Sequence, residues 1–346
     1  MEKLIRQSWW KISGILVLAG ALLFAMKTPL SPGILSIEKV EQAEQTLSFE
    51  LIGYNSHFMT SNGLQVWIQN DAHSYCSKDL EIIDDSHLLI GIDLPEILPS
   101  NLFSVVLNDD IDGTLASLDG IFIKGNVEPS DGNGKCYEQV KLTEHGYFSM
   151  PYRTILYETI RNLNFHVPMW FAMIFLTLFS FVTAILYLVK SDPRYDDMTV
   201  AAIHVAMLFA ICGLSTGALW ARFTWGAFWT DDPQLNGAAI STLIYLAYFM
   251  LRRSVNDPDK RARLSAVYAI FAFIMFYVFL KVIPSMAEFS LHPDTTDNPS
   301  FKDYDIEGKL KIVFRTATAG WIILSFWIFS LRYRLLTIER KRLDHE

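Results

Sequence analysis

The chain has 346 residues, of which 51% are hydrophobic, 14% aromatic and only 19% charged. This composition is too apolar for an ordinary soluble protein of this length, and it indicates a membrane protein with a soluble part. The net charge of −8 argues against nucleic acid as a partner, because phosphate binding depends on clustered lysine and arginine. The cysteines (Cys76, Cys136 and Cys212) form no Cys-x-x-Cys pair, which argues against an iron–sulfur cluster, a zinc knuckle or a redox dithiol.

Six apolar stretches are long enough to cross a bilayer as helices, which takes about 20 residues. They cover residues 9–26, 167–189, 199–221, 235–251, 264–283 and 312–331. We therefore expect a mainly α, polytopic membrane protein with about six transmembrane helices. Its predicted parts are a first transmembrane helix (1–26), a soluble domain (27–160), and a five-helix membrane domain with a tail (161–346).

The basic residues beside the spans predict the orientation, because cytoplasmic loops carry an excess of lysine and arginine. If the N-terminus is cytoplasmic, every inside loop is basic. These residues are Lys3, Arg6, Lys190, Arg194, Arg252, Arg253, Lys260, Arg261, Arg263, Arg332, Arg334, Arg340, Lys341 and Arg342. We expect a multi-pass membrane protein with both termini cytoplasmic and residues 27–165 extracytoplasmic.

The first span could instead be a cleaved signal peptide, because Lys3 and Arg6 precede an apolar run. The stretch Leu23-Phe24-Ala25 is a weak cleavage site, since it lacks the small residue normally found three positions before the cut. This favours a retained anchor. Either outcome leaves the later topology unchanged.

The soluble domain has the pattern of an all-β fold. Short alternating runs occur at residues 33–37, 46–52, 64–68, 80–83, 87–92 and 103–107, separated by Gly, Asn, Asp and Pro. This regular spacing predicts a sandwich. The turn Gly53-Tyr54-Asn55 before a hydrophobic strand resembles immunoglobulin-like domains of the IPT/TIG kind. The domain is interpreted as a binding or spacing module.

Two cysteines of this domain leave two alternatives open. In an oxidising compartment, Cys76 and Cys136 could close a loop of about 60 residues and add about 4 kcal/mol of stability. They could equally be separate thiols. The histidines of the domain show no paired spacing and are expected to be surface or turn residues: His57, His73, His87 and His145.

Two histidines lie at the outer ends of spans. His166 precedes Pro168 at the first turn of the second span, and His292 follows the fifth span. Alone, His166 could be an interfacial residue bonded to water. Two outward histidines beside an aromatic loop are, however, what a six-coordinate haem iron requires. His204, near the cytoplasmic end of the third span, and His345, in the tail, do not meet this requirement.

Several motifs in this order carry a family resemblance. They are Phe165-His166-Val167-Pro168, Gly213-Leu214-Ser215-Thr216-Gly217-Ala218-Leu219-Trp220, Trp225-Gly226-Ala227-Phe228-Trp229-Thr230-Asp231-Asp232, Leu291-His292 and Leu331-Arg332-Tyr333-Arg334. The chain resembles the haem-handling superfamily of cytochrome c biogenesis, and most of all the CcmC (haem exporter protein C) family. The resemblance covers the first span and about residues 160–340.

The resemblance implies a binding site and partners. His166 and His292 would ligate the iron of a transient, non-covalent haem b, and the tryptophan-rich loop would bind the macrocycle. The loop residues concerned are Trp225, Phe228, Trp229 and Asp232. The partners would be haem, a periplasmic chaperone like CcmE, ABC-type subunits like CcmA and CcmB, and membrane lipid. Simple delivery would need no catalytic residue, so an enzyme is not expected.

Two positions depart from the family pattern. Asp231 stands where the family usually has a second tryptophan of the signature, and Gln234 follows Asp232-Pro233 where the related synthetase branch has a lysine. The anionic haem propionates need donors near the site. Arg222 is the favoured candidate, whereas Lys281 and Arg315 could simply extend to the headgroups.

Three other functions remain open. A cytochrome c synthetase of the CcsA type usually has further histidines within its spans, and only His204 is available here. An electron-transfer subunit needs haem positioned across the bilayer, yet both outer histidines lie on one side. The permease of an ABC haem exporter would be expected to show a discontinuous helix pair or a midplane charge pair, and neither is evident.

Overall fold

The computed structural model describes residues 2–43, 45–70, 73–127, 146–154, 156–292 and 308–343. The chain divides into two compact units. One comprises Met1–Lys27 and Glu158–Glu346, and the other comprises Thr28–Tyr157. Each unit is described by itself.

The first unit is helical. After α1 (Glu2–Lys27) and a 3₁₀ helix (Tyr157–Asn164), the described helices are α2 (His166–Lys190), α3 (Pro193–Thr224), α4 (Pro233–Ser254), α5 (Pro258–Tyr277), α6 (Ile283–Met286) and α7 (Gly308–Leu343). A π-helical turn, Val278–Val282, joins α5 to α6. Six helical segments of the described chain are long and apolar enough to cross a membrane, as predicted. The chain is thus a multi-pass membrane protein.

Aspartate followed by proline begins three successive helices. The pairs Asp192-Pro193, Asp232-Pro233 and Asp257-Pro258 open α3, α4 and α5, and each aspartate side chain accepts a hydrogen bond from a backbone N–H of the first turn. Proline fits the first helical position because its backbone needs no donor there, and the carboxylate satisfies an otherwise unpaired N–H. These caps fix where the loop before α4 ends.

Small residues let the helices approach closely. A Cβ atom at Gly14 of α1 would lie 2.3 Å from Cγ2 of Ile323 in α7, and one at Gly320 of α7 would lie 2.8 Å from Cβ of Leu18. Between α2 and α3, the hydroxyls of Thr183 and Thr199 are bonded at 2.8 Å. Close backbone contact and interhelical hydrogen bonds of this kind stabilise helix bundles in lipid.

The second unit is built on one antiparallel sheet of seven strands. Its strands, in chain order, are β1 (Gly33–Ala43), β2 (Thr46–Tyr54), β3 (Gln65–Gln69), β4 (Ser74–Ile82), β5 (His87–Asp93), β7 (Leu102–Asn108) and β8 (Thr114–Phe122). They pair in the order β1-β2-β5-β4-β3-β7-β8, and β6 (Ile97–Leu98) with β9 (Asn126–Val127) forms a small parallel pair. All six predicted strands are confirmed.

The first and last strands of this sheet approach each other, which makes it barrel-like. A Cβ atom at Gly120 of β8 would lie 2.9 Å from Cδ1 of Ile37 in β1. Alternating inward residues such as Phe49, Leu51 and Ile90 are fully buried in its core. The predicted all-β character is therefore confirmed. The seven strands form one barrel-like sheet where a sandwich is predicted, and the immunoglobulin-like identity stays a prediction.

The cysteines and histidines of this unit are only partly described. Cys76 is disulfide-bonded and Cys212 of α3 is a free thiol. Cys136 and His145 lie outside the described residues, so the pairing of Cys76 with Cys136 stays a prediction. His57 bonds to Asp112, and His87 bonds to Asp84. His73 is buried, so it is not a surface residue.

Candidate functional site

His166 is the first residue of α2 and faces α3. Its Nδ1 lies 3.0 Å from the backbone oxygen of Gly213 and 3.2 Å from Oγ1 of Thr216. A carbonyl oxygen can only accept, and the Thr216 hydroxyl already donates to the oxygen of Cys212. Nδ1 of His166 therefore carries the proton, and Nε2 bears the lone pair of the neutral ring.

Two glycines of α3 make room for this histidine and its neighbour. A Cβ atom at Gly217 would lie 2.6 Å from Cε1 of His166, and one at Gly213 would lie 3.0 Å from Cε2 of Trp170. The ring of Trp220 stands edge-on to His166 at a centroid distance of 5.8 Å. Sequence reasoning assigned no role to these glycines or to Trp170.

His292 is held by Asp232, which lies 60 residues earlier in the chain. Its Nδ1 lies 2.7 Å from Oδ1 of Asp232, whose side chain is fully buried. Because an ionised carboxylate only accepts, Nδ1 of His292 is again the protonated nitrogen. The His292 side chain is 17% exposed.

The carboxylate of Asp232 gathers several further donors. Oδ1 accepts from the N–H groups of Gln234 and Leu235 at the start of α4, and Oδ2 accepts from Ser290 Oγ at 2.7 Å and Leu291 N at 2.8 Å. Burial disfavours its charged form, but the hydrogen bonds from the His292 ring and from Ser290 outweigh it and hold the pKa of Asp232 well below its usual value. Asp232 thus ties the His292 segment to α4.

The aromatic loop between α3 and α4 lies against His292. Trp225 caps α3, and its ring meets the His292 ring at a centroid distance of 5.1 Å and an angle of 69°. Phe228 and Trp229 are 59% and 45% exposed, and Trp229 Nε1 donates to Asn236. The loop turns at Gly226, whose φ of +81° is in the region that glycine favours.

The structure places both histidines near the C-terminal end of α3. His166 packs against Trp220 and His292 against Trp225, and these tryptophans are separated by about 7.5 Å of helical rise. No group of three or more His, Cys, Asp or Glu able to hold a metal ion occurs among the described residues. Paired imidazoles of this kind suit a metal whose remaining ligands come from a macrocycle.

The cationic candidates are positioned differently. Arg222 is exposed, and its Nη1 donates to the backbone oxygen of Gly226 at 2.6 Å, so it lies beside the aromatic loop. Lys281 is on the π-helical turn and Arg315 is on α7, both exposed.

A comparison of the sequence with known protein families identifies the family of this chain. A sequence model of the Heme exporter protein C family matches residues 140–346, which is more than half of the chain. The chain belongs to the Heme exporter protein C family. The match does not include α1, and it leaves most of the β-rich unit outside the family region.

Individual relatives agree with this family. Heme exporter protein C of Paracoccus denitrificans is 31% identical over 112 residues, or 32% of this chain and 46% of that protein. The protein of the same name from Bradyrhizobium diazoefficiens is 34% identical over 113 residues, 32% and 43% of the two chains. Cytochrome c biogenesis protein CcsA of Prochlorococcus marinus is 35% identical over 89 residues, 26% and 28%. The chain spans about half, or less, of the length of these relatives.

The site has features that fit a bound haem. In both histidines Nδ1 is bonded to an oxygen, which leaves Nε2 as the nitrogen that could bind a metal, and aromatic rings flank them. One buried oxygen atom of the aromatic loop, Thr230 Oγ1, has no hydrogen-bond partner among the described residues. The Thr230 hydroxyl is able to donate to a carboxylate such as a propionate. The two histidine nitrogens and this unpaired hydroxyl are therefore compatible with the haem that the sequence predicts.

Proposed function

We propose that the chain binds haem b non-covalently between His166 and His292 and delivers it to an acceptor. The observation that carries this proposal is that the two histidines have the same hydrogen-bonding pattern. In each of them Nδ1 bonds to an oxygen acceptor, which places the lone pair on Nε2. The rings lie beside the aromatic loop, in a member of the Heme exporter protein C family.

The surrounding residues have distinct roles in this site. Trp225 packs against His292, and the exposed rings of Phe228 and Trp229 cover the edge of the macrocycle. Arg222 uses one Nη1 hydrogen for Gly226, and its guanidinium has further donors to offer a propionate. The iron accepts the two imidazoles, and no side chain of this site has to take part in covalent chemistry.

The place of delivery follows from the charge of the loops. Basic residues end α2, α4 and α7, which supports cytoplasmic termini and an outer site in the bacterial inner membrane. The acceptor would be a periplasmic haem chaperone of the CcmE type, with ABC-type CcmA- and CcmB-like subunits as further partners. A shallow site at the membrane surface would suit exchange better than a closed pocket does.

Visible absorption of the purified protein tests the binding site. His166→Ala and His292→Ala should each strongly reduce copurified haem. His204→Ala is the matched control, because His204 bonds to Val200 within α3 and packs against Phe249. Unchanged spectra in both outer variants would refute the assignment.

A second candidate function is cytochrome c synthesis, because the chain is also similar to proteins named CcsA. A synthetase would attach haem to the thiols of an apocytochrome without a chaperone. Coexpression with apocytochrome c, with and without a CcmE-type protein, separates the two functions. Covalent product that needs the chaperone supports delivery, and product without it supports synthesis.

We further propose that the β-rich unit is a docking module for the acceptor. It lies largely outside the family match and forms its own core. A chain lacking residues 30–155 should still load haem but lose transfer to the acceptor. Normal transfer by a folded, haem-loaded deletion variant would exclude this role.

A further inference from the structure

The two histidines differ in what holds their Nδ1 atoms. His292 bonds at 2.7 Å to the buried carboxylate of Asp232. His166 bonds at 3.0 Å to the carbonyl of Gly213, with the Thr216 hydroxyl at 3.2 Å. One acceptor is ionised and the other is neutral.

This difference changes the strength of the two ligands. Hydrogen bonds to an ionised acceptor are shorter and about twice as strong as neutral ones. A carboxylate that pulls on the Nδ1 proton also makes the opposite nitrogen more basic and fixes the ring orientation. His292 should therefore be the better electron donor through Nε2.

The two hydrogen-bond acceptors, the Asp232 carboxylate and the Gly213 carbonyl, also differ in the other groups that bond to them. Asp232 receives two backbone N–H groups of α4 and two donors of the His292 segment, so its position is fixed from both sides. The Gly213 oxygen is shared, because the Thr216 hydroxyl also lies 3.2 Å from it. His166 thus has a weaker and less exclusive partner.

We propose that Asp232 is a positioning residue that makes His292 the anchoring axial ligand, and that His166 is the ligand that exchanges when the cargo leaves. This inference rests on the proposed haem site and deepens it. Asp232 acts through the imidazole and need not touch the macrocycle. An acceptor's ligand would approach from the His166 side while His292 retains the iron.

Asp232→Asn tests the positioning role. Asparagine keeps one oxygen for the helix cap and has nearly the same shape, but it removes the charge that acts on His292 and replaces the oxygen that accepts from Ser290 and Leu291. We expect haem loss to apomyoglobin, used as the scavenger, to become about 10- to 100-fold faster. The reduction potential should shift upwards, because a weaker donor stabilises ferric iron less. Asp231→Asn is the control for charge alone, because Asp231 is exposed and bonds to Asn236.

Glycine variants test the order of exchange with Asp232 intact. His166→Gly should retain a reduced but measurable share of the haem through His292, and added imidazole should restore a low-spin spectrum. His292→Gly should retain markedly less haem under the same conditions. These two variants decide the inference even if Asp232→Asn does not fold.

The outcomes separate this inference from the proposed function. Equal haem retention by the two glycine variants, or a folded Asp232→Asn protein with an unchanged potential and release rate, would overturn the inference and leave the binding site standing. Wild-type protein that binds no haem would overturn the proposed function itself.

Discussion

Gly217 and His166 are in contact: a Cβ atom at Gly217 would lie 2.6 Å from Cε1 of the imidazole. The other near atoms of the ring, Nδ1 and Nε2, are 3.1 and 3.4 Å from that position. The helix α3 therefore holds the histidine against its backbone at this point. Any side chain at residue 217 must displace the ring or separate the helices.

Replacing this glycine should disturb the site without adding polarity. Gly217→Ala is expected to lower haem content, because the ring shifts away from the Gly213 carbonyl that orients it. Haem content per folded protein, from absorption of the purified variant, measures the effect. Gly20→Ala is the control, since a Cβ atom there meets no atom within 4 Å. Equal loss in both variants would contradict a local role for Gly217.

Trp225 should contribute to haem retention through His292. An edge-to-face aromatic pair is worth about 0.5 to 1.5 kcal/mol beyond its buried area, so Trp225→Ala should speed haem loss about 2- to 10-fold. Membrane insertion should be unaffected. Trp9→Ala, which changes an exposed residue of α1, provides the control. A failure of the Trp225 variant to fold would indicate a structural role instead.

The membrane part of the fold was predictable from the sequence because a bilayer imposes one strong rule. Each span needs about 20 apolar residues, and all six predicted spans coincide with helices. The helices are longer than the predicted stretches. For example, α3 covers Pro193–Thr224, whereas the predicted span covers residues 199–221, because the polar residues at both ends of the span also form helical hydrogen bonds. The π-helical turn has no comparable sequence signal.

The β-rich unit was predictable where strands alternate clearly. Strand β8 was missed because Gly120 and Asp119 interrupt the apolar pattern, and β6 and β9 are only two residues long. The closure of the sheet depends on Ile37 and Gly120, which are distant in sequence. Periodicity predicts strands, but it does not predict how they close.

The candidate site was predicted as a set of residues, whereas its hydrogen bonds were not. The bond between Asp232 and His292 joins positions 60 residues apart, and no local pattern indicates it. The available signal was Asp232-Pro233, which predicts a helix cap but not a second partner. The short spacing of Gly213 and Gly217 on one face of α3 could have indicated a close helix contact.

The ion pair between Asp196 and Arg252 should stabilise the helical unit. Its two hydrogen bonds are 2.8 and 2.6 Å long, and the side chains are only 12% and 19% exposed. Asp196→Ala leaves the arginine buried without its partner and should cost about 3 to 5 kcal/mol of stability. Unfolding in detergent measures this. Arg194→Ala is the control, because that side chain is 69% exposed and should contribute about 1 kcal/mol or less.

Tyr152 should make the β-rich unit sensitive to alkali. Burial, followed by the neighbouring rings of Tyr157 and Tyr54, raises the pKa of Tyr152 to about 12. The pKa of Tyr152 is higher in the folded protein than in the unfolded chain. The neutral phenol therefore contributes fully to the stability of the folded state below about pH 10, and this contribution is lost as the pH rises towards 12.

Chemical unfolding at a series of pH values tests this linkage. Between about pH 10 and 12, the free energy of unfolding of the wild type should fall more steeply than that of Tyr152→Phe, which has no phenol to ionise. The stacked contact with Tyr54 at 5.1 Å can persist in the phenylalanine variant, so packing is largely conserved. Parallel curves for the two proteins would contradict the linkage.

Electron paramagnetic resonance of the purified, oxidised protein tests the paired-histidine site most directly. The wild type should show the low-spin ferric signal of two imidazole ligands, and His166→Ala or His292→Ala should lose it and leave high-spin iron or no haem. A low-spin signal that persists unchanged in both variants, or wild-type protein with no haem signal after reconstitution, would contradict the assignment.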